Sequence, residues 1–157
     1  MLSCVKTLKD NQMSQVPPVV LSTIVCDRVL FDAPTRTNCL IGIRDCLFAP
    51  KYPVRIFQLF FFAEMTNGHD TTDIIVRLVD VQNDEKVLIE KKANVKFENV
   101  KSTVSVVLGF EGLAFEHPGE YCFQLIAAGQ PLSSRRINCI LIKPPQAGEN
   151  APQNPNT

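Results

Sequence analysis

Two charged pairs, Asp27-Arg28 and Arg44-Asp45, interrupt otherwise apolar stretches of the chain. The segment 32–38 between them has the composition of a turn. If that turn closes a hairpin, the numbers of opposed residues sum to about 71, which places Asp27 near Arg44. Cross-strand pairs of opposite charge contribute roughly 0.2–1 kcal/mol. The spacing therefore predicts a salt bridge that fixes the strand register. The other interpretation is a cleft in which Arg28 or Arg44 binds an anion or a carboxylate.

The cysteines and histidines lack the spacing of a metal site. Structural zinc sites use four Cys or His ligands, generally including a closely spaced pair of cysteines. The nearest cysteines, Cys39 and Cys46, are seven positions apart, and His69 and His117 fall in separate predicted loops. The acidic residues form no EF-hand loop. We therefore expect neither a metal nor another cofactor.

The sequence also lacks the motifs of catalysis and of nucleic-acid binding. It contains no Gly-x-Ser-x-Gly nucleophile and no Gly-rich phosphate loop. Arg135, Arg136 and Lys143 make a small basic patch, but single-strand binders combine such patches with exposed aromatic residues. Lys and Arg number 16, as do Asp and Glu. This balance argues against electrostatic binding to nucleic acid or to an anionic membrane. We expect a protein that is not an enzyme and binds neither.

The elements that must position these residues are strands. A chain of 157 residues is long enough for one ordinary domain. No segment has a sustained 3.6-residue period, and about eight short strands alternate with turns. This pattern predicts an all-β, two-sheet antiparallel sandwich of the immunoglobulin-like or Greek-key type, with a β-barrel as the alternative. The absence of Trp disfavours antibody-type domains.

The position of several strands can be predicted from their side chains. Arg55–Met65 is apolar on both faces, which predicts a central strand. Lys86–Lys92 carries lysines typical of a sheet edge. Asn67-Gly68 predicts a type I′ hairpin turn, and residues 110–119 predict a crossing loop. The expected strands are Val19–Phe31, Cys39–Phe48, Arg55–Met65, Thr72–Val81, Lys86–Lys92, Thr103–Gly109, Glu120–Ala128 and Leu132–Ile142.

Composition divides the chain into three parts. Residues 1–16 are expected to form an arm or a short helix, and residues 17–143 a single sandwich domain. Residues 144–157 are rich in Pro and Asn, which predicts a disordered tail. The first residues lack the unbroken apolar run of a secretory signal. We therefore expect a cytoplasmic protein whose six cysteines are free thiols.

Local patterns add a resemblance to this description. Tyr121 follows His117-Pro-Gly-Glu, where a tyrosine corner of a sandwich is expected. The patterns CDRVL at 26–30, LIGI at 40–43, Pro53 before an apolar strand and PGEY at 118–121 occur in an order that resembles an uncharacterised family. That family consists of small bacterial all-β proteins and is classed only as a domain of unknown function. The resemblance covers roughly residues 18–142 and implies a bacterial, cytoplasmic sandwich, with no catalytic residue to carry over.

These observations favour a non-catalytic β-sandwich module that assembles with itself or binds a partner protein. Such a module needs only a suitable surface, whereas an enzyme needs convergent titratable groups. The alternative is a module that binds a small ligand in the charged cleft around Arg28 and Arg44. If Phe60 or Phe62 faced solvent, its strand would form an oligomer surface.

Overall fold

A computed structural model of the chain describes residues 16–143, which form nine strands and no helix. No helix that could cross a membrane therefore occurs between residues 16 and 143. The predicted N-terminal arm lies outside the described residues except for Val16, and the predicted tail at 144–157 lies wholly outside them. The strands are β1 Val19–Asp32, β2 Thr37–Ile43, β3 Cys46–Ala49, β4 Val54–Thr66, β5 Thr71–Asp80, β6 Lys86–Lys96, β7 Val104–Phe115, β8 Gly119–Ala127 and β9 Gln130–Leu141.

The strands form a two-sheet β-sandwich, as the sequence predicts. Sheet A has the order β2-β1-β4-β7, and sheet B has the order β3-β9-β8-β5-β6. Seven strand pairs link the nine strands, and only β3 with β9 is parallel. The central position expected for Arg55–Met65 is confirmed, because β4 lies between β1 and β7. The lysine-rich strand β6 is an edge of sheet B, also as expected.

The core lies between the two sheets and is built from alternate residues of each strand. Phe123 of β8 packs against Phe61 of β4 and Phe110 of β7, with ring centroids 5.8 and 5.1 Å apart. Burying a Phe or Leu side chain contributes roughly 1.5–3 kcal/mol. The largest fully buried side chains are Tyr121, Phe61, Phe110, Phe115, Phe123, Leu59, Met65, Ile74, Leu78, Leu125, Ile137 and Val25.

The segment Asn67-Gly68 does not form the predicted hairpin turn. It carries the chain from β4 in sheet A to β5 in sheet B. Asn67 has a positive φ of 57°, but a type I′ turn requires positive φ at both central residues. Gly68 is needed for another reason, because a Cβ there would collide with the ring of Phe97. The Asn-Gly pair therefore begins a crossover between the sheets.

The predicted strand Cys39–Phe48 is two strands that belong to different sheets. At the break, the Arg44 N–H donates to the Val25 carbonyl (2.8 Å), and the Asp45 carbonyl accepts from the Asn138 N–H (2.9 Å). The first bond ties the end of β2 to β1, and the second brings the chain to β9. The charged pair Arg44-Asp45 marks the break, but a polar pair within one strand and a change of sheet give the same pattern in the sequence.

The predicted crossing loop at 110–119 is mostly strand. β7 continues to Phe115 and pairs with β4 as far as Val54. Gly112, with a positive φ of 64°, lies where the ladder between β7 and β4 skips one pair. Leu113 and Phe115 are buried, as expected for residues that close the core. β6 also continues to Lys96, beyond the predicted end at Lys92.

The β1–β2 hairpin, residues 27–43, extends sheet A beyond the part of β1 that pairs with β4. β1 pairs with β4 only from Val19 to Cys26, and with β2 from Cys26 to Asp32. A groove lined by Leu40 of β2 and by Ile24 and Phe62 places the hairpin over the outer face of sheet A. Phe62 is only 5% exposed as a result. The condition for an oligomer surface on this strand is therefore not met at Phe62, while Phe60 is half-buried.

Candidate functional site

Asp27 and Arg44 form a two-pronged ion pair at the base of the hairpin. Arg44 donates from Nε to Asp27 Oδ1 (2.5 Å) and from Nη2 to Oδ2 (3.0 Å). This fork geometry is the strongest that an Arg and a carboxylate can make. The hydrogen bond from Asp27 raises the pKa of Arg44. The two strands that hold the pair lie in the same sheet, as the salt-bridge interpretation requires.

The register that produces this pair differs from the expected one. Cys26 lies opposite Ile43, so the numbers of opposed residues sum to 69, and Asp27 falls opposite Gly42. Gly42 has a positive φ of 68°, and a Cβ built on it would collide with the Asp27 carboxylate. The carboxylate therefore lies over the glycine and reaches Arg44, two residues further along. Gly42 makes this close approach possible.

The other two members of the predicted polar cluster are placed differently. Arg28 lines a shallow groove of about 460 Å³ together with Asp27 and Arg44, and Phe57 lies in the same groove. Asp45 does not line it. Arg28 and Asp45 make no ion pair with any residue in the described part of the chain. The guanidinium available in the groove is therefore that of Arg28.

Tyr121 forms the hydrogen bonds of a tyrosine corner. Its hydroxyl donates to the His117 carbonyl (3.0 Å) and accepts from the His117 N–H (3.3 Å). The ring is fully buried and packs edge-on against Phe115, with centroids 4.8 Å apart. One side chain therefore closes the loop between β7 and β8 onto the start of β8.

Sequence reasoning missed the partner of His117, which it assigned to a turn. His117 Nε2 lies 2.7 Å from Asp80 Oδ2, across 37 positions of sequence. Asp80 ends β5 and is only 3% exposed. Its other oxygen accepts the Gln82 N–H (3.1 Å). The signal available was a carboxylate directly after the apolar pair Leu78-Val79, at the end of β5.

The surroundings of His117 favour its charged form. Nδ1 lies 3.0 Å from the Pro118 carbonyl, and Nε2 faces the Asp80 carboxylate. Both partners are acceptors, so each ring nitrogen must donate, which only the imidazolium can do. The hydrogen bond to Pro118 and then that to Asp80 raise the pKa of His117. A ring with both nitrogens engaged has no lone pair with which to act as a general base.

The buried thiols have the surroundings of structural groups. Cys26, Cys39, Cys46, Cys122 and Cys139 are free, and three of them are buried. Burial raises the pKa of Cys139 to about 11 and that of the neighbouring Tyr52 to about 12. Reactive cysteines have depressed pKa values instead. Between residues 16 and 143, no three His, Cys, Asp or Glu side chains converge to hold a metal ion.

Apolar side chains cover the outer face of the hairpin. Directly opposed residues of an antiparallel pair share a face, so Leu30 and Cys39 lie on the same face as Arg28 and Ile41. Leu30 is 52% exposed, Ile41 is 47% exposed, and Ile43 beyond it is 59% exposed. Phe57, which shares the groove with Arg28, is 86% exposed. We name Arg28, Leu30, Ile41, Ile43 and Phe57 the hairpin face.

Comparison with known proteins gives a family and weak structural similarities. No curated protein matches the sequence. A Pseudomonas fluorescens alkylpurine DNA glycosylase, AlkC, bound to DNA containing an abasic site analog, matches over 74% of this chain at 11% identity with a TM-score of 0.39. A Listeria innocua beta-glucosidase in complex with isofagomine matches over 80% of it at 7% identity, also with a TM-score of 0.39.

The chain spans only 30% and 17% of those two proteins, and at such TM-scores they support no conclusion about it. The family comparison is more informative. A model of one family matches residues 21–140, which include every strand of the sandwich at least in part. The patterns quoted from the sequence all lie within that range. The chain therefore belongs to the family described as Family of unknown function (DUF6941).

Proposed function

We propose that this protein is a non-catalytic β-sandwich module that binds another protein through its hairpin face. The observation that supports this proposal is the cluster of exposed Leu30, Ile41 and Ile43 with the almost fully exposed Phe57 beside Arg28. Clustered exposed apolar side chains mark interaction sites. Aromatic residues and Arg are the types enriched at the centres of protein interfaces.

Most of the outer face of sheet B has a different character, apart from the exposed Phe48 and Ile140 near its β3 edge. It carries polar pairs, in which Arg77 donates to Gln124 (2.8 Å) and Arg136 lies 3.2 Å from Glu120. Asn94 also donates to Asp73. Side chains that satisfy one another in this way leave little to gain from a partner. This contrast favours the hairpin face as the binding surface.

We also propose a fold subclass and a cellular location for the protein. We class the sandwich as immunoglobulin-like, supported by the Tyr121 corner and by a chain that changes sheets after β2. We also place the protein in the cytoplasm of a bacterium, in keeping with its free thiols. Fractionation of the source cells would test the location.

Affinity capture from the source cells, followed by reconstitution with the purified partner, tests the binding surface. We expect Phe57→Ser and Leu30→Ser to raise the partner's Kd at least about fivefold each, as interface truncations that cost more than about 1 kcal/mol do. Val107→Ser is the matched control, because Val107 is an exposed apolar residue of β7, outside the hairpin face. It should leave the Kd unchanged.

Two results would contradict the proposal. One is a stoichiometric partner whose Kd responds to Val107→Ser as strongly as to Phe57→Ser. The other is the absence of any stoichiometric partner at native expression.

The second candidate function is the binding of a small anionic ligand in the groove beside Arg28. The groove holds two guanidinium groups, which is the observation in its favour. Asp27 already engages the Arg44 fork, so a carboxylate would meet the Arg28 side chain alone. A thermal-shift screen of carboxylates with Arg28→Gln as the control distinguishes this candidate from protein binding.

A further inference from the structure

The groove between the hairpin and the outer face of sheet A has room for a small molecule. Its volume is about 580 Å³. Small-molecule sites in proteins measure roughly 300–1,000 Å³ and combine apolar walls with a few polar groups. β2 and the turn before it line one side, and β1, β4 and β7 line the other. We name this space the inner groove.

The apolar part of the inner groove comes from both sides. Leu40 of β2 faces Ile24 and Phe62 of sheet A across it. Phe31 lies directly opposite Asn38, which lines the groove, so its side chain is on the same face of the hairpin. Phe31 is 65% exposed. An apolar group of a ligand would therefore gain contacts with side chains that are partly in water.

Two charges of opposite sign line the same groove. Arg36 lies in the turn before β2, and Glu64 lies on β4. They form no ion pair with each other or with another residue between 16 and 143. Glu64 accepts a hydrogen bond from the Ser22 hydroxyl at 3.4 Å. The groove therefore offers a guanidinium for a carboxylate and a carboxylate for an ammonium group.

We propose that the inner groove binds a zwitterion with an apolar side chain. The carboxylate of the ligand would contact Arg36, its ammonium group Glu64, and its side chain Leu40 and Phe62. Amino acids such as leucine have this chemistry, and so do short apolar peptides with free ends. A ligand with a single charge would leave either Arg36 or Glu64 without a partner.

The inference goes beyond the proposed function and does not require it. Successive side chains of a strand point to opposite faces, so Leu40 faces the inner groove while Ile41 belongs to the hairpin face. The inner groove also shares no lining residue with the groove beside Arg28. A ligand in it would therefore leave the hairpin face open to a partner.

Methyl NMR titration of the full chain with L-leucine and with leucyl-leucine tests the site. We expect saturable shift changes at the methyl groups of Ile24 and Leu40, with a Kd of about 1 mM or below for the better probe. The methyl groups of Leu30 and Ile41, on the other face of the hairpin, should not shift. Tighter binding of leucine would identify a free amino acid as the ligand, and tighter binding of leucyl-leucine a peptide.

Probes that lack one charge assign the two ends of the ligand. N-acetyl-leucine has no ammonium group and leucinamide has no carboxylate, and each should bind about tenfold more weakly than leucine, as the loss of a charged hydrogen bond predicts. Arg36→Gln should weaken leucine by a similar factor but leave the Kd of leucinamide unchanged. Glu64→Gln should weaken leucine and leave the Kd of N-acetyl-leucine unchanged. This pattern is that of a double-mutant cycle between protein and ligand.

The controls change the same residue types outside the groove. Arg55→Gln and Glu98→Gln remove exposed charges that do not line it, and both should leave the Kd of leucine unchanged. Phe57→Ser, which tests the proposed function, should leave it unchanged as well.

Three results would overturn the inference. The first is the absence of shift changes at Ile24 and Leu40 with either probe at about 10 mM, well above the expected Kd. The second is N-acetyl-leucine or leucinamide binding as tightly as leucine. The third is a leucine Kd that neither Arg36→Gln nor Glu64→Gln changes. A partner captured through Phe57 and Leu30 would stand under each of them.

Discussion

His117 shows how one residue can depend on chain segments far from it in sequence. Its ring lies between the Asp80 carboxylate and the Pro118 carbonyl, while its backbone is bound by the Tyr121 hydroxyl. Its ring also stacks on that of Tyr121, with centroids 5.4 Å apart. Glu116 adds a further nearby negative charge. These contacts fasten the β7–β8 loop to the end of β5.

The first prediction concerns the pH dependence of this contact. Because the folded state raises the pKa of His117 above its ordinary value of about 6.5, protonation and folding are linked. The stabilisation is fully present below the unfolded-state pKa. It is lost as the pH rises through the folded-state pKa, because the neutral ring can no longer donate from both nitrogens. Urea unfolding at a series of pH values measures this loss.

The variants for this test separate titration from packing. His117→Gln should remove the loss of stability that begins near neutral pH, while His69→Gln should retain it. In an NMR titration, Asp80→Asn should lower the midpoint of the His117 ring signals. An Asp80→Asn midpoint equal to that of wild type would show that the carboxylate does not support the charged ring.

At the scale of the element, the hairpin depends on its glycine. Gly42 has a left-handed backbone and also leaves space for the Asp27 carboxylate. A Cβ at position 42 would occupy the space from which the Asp27 carboxylate reaches Arg44. The ion pair and the glycine are therefore parts of one arrangement at the base of the hairpin.

The second prediction compares two glycines with similar backbone angles. Gly42→Ala and Gly129→Ala should each lose roughly 1–2 kcal/mol from the left-handed conformation. Gly129 has a φ of 72°, and no other atom lies near the position that a Cβ would occupy. Gly42→Ala should lose more, since its Cβ displaces Asp27. Urea unfolding of both variants measures the difference, and combining each with Asp27→Ala should remove it. Equal losses in the two single variants would mean that Asp27 simply moves aside.

At the scale of the whole molecule, the hairpin changes which side chains are exposed on the outer face of sheet A. That face would expose Phe62 in a simple two-layer sandwich, yet Phe62 is 5% exposed. Phe57, on the same strand, lies in the groove beside the hairpin base and is 86% exposed. The hairpin thus divides the aromatic residues of β4 into covered and exposed ones.

The third prediction follows from this division. Phe62→Ala should lower the free energy of unfolding by roughly 3–5 kcal/mol, as truncation of a buried Phe does. Phe57→Ala should change it by less than about 0.5 kcal/mol, as a surface substitution does. Urea denaturation of the two variants measures both values. Similar losses would contradict the covering role of the hairpin.

Much of the fold could be predicted from the sequence because its signals are local. Alternation of apolar side chains identifies a strand and its buried face, and this was sufficient for the sandwich. Apolar residues on both faces of β4 predicted its central position, and the lysines of β6 predicted its edge position. The turn at 32–38 joins neighbouring strands, so Asp27 and Arg44 could be paired from sequence separation alone. The Tyr121 corner closes within four residues.

Tertiary structure alone decided the features that depend on which surfaces meet. Alternation shows that a face is buried but not what covers it, so the covering of Phe62 left no mark in the pattern. The charged pair Arg44-Asp45 marks an interruption, but it does not show that the chain changes sheets there. The Asn67-Gly68 pair is equally compatible with a hairpin and with a crossover. The contact between Asp80 and His117 joins residues 37 positions apart, and only the pairing of β5 with β8 brings them together.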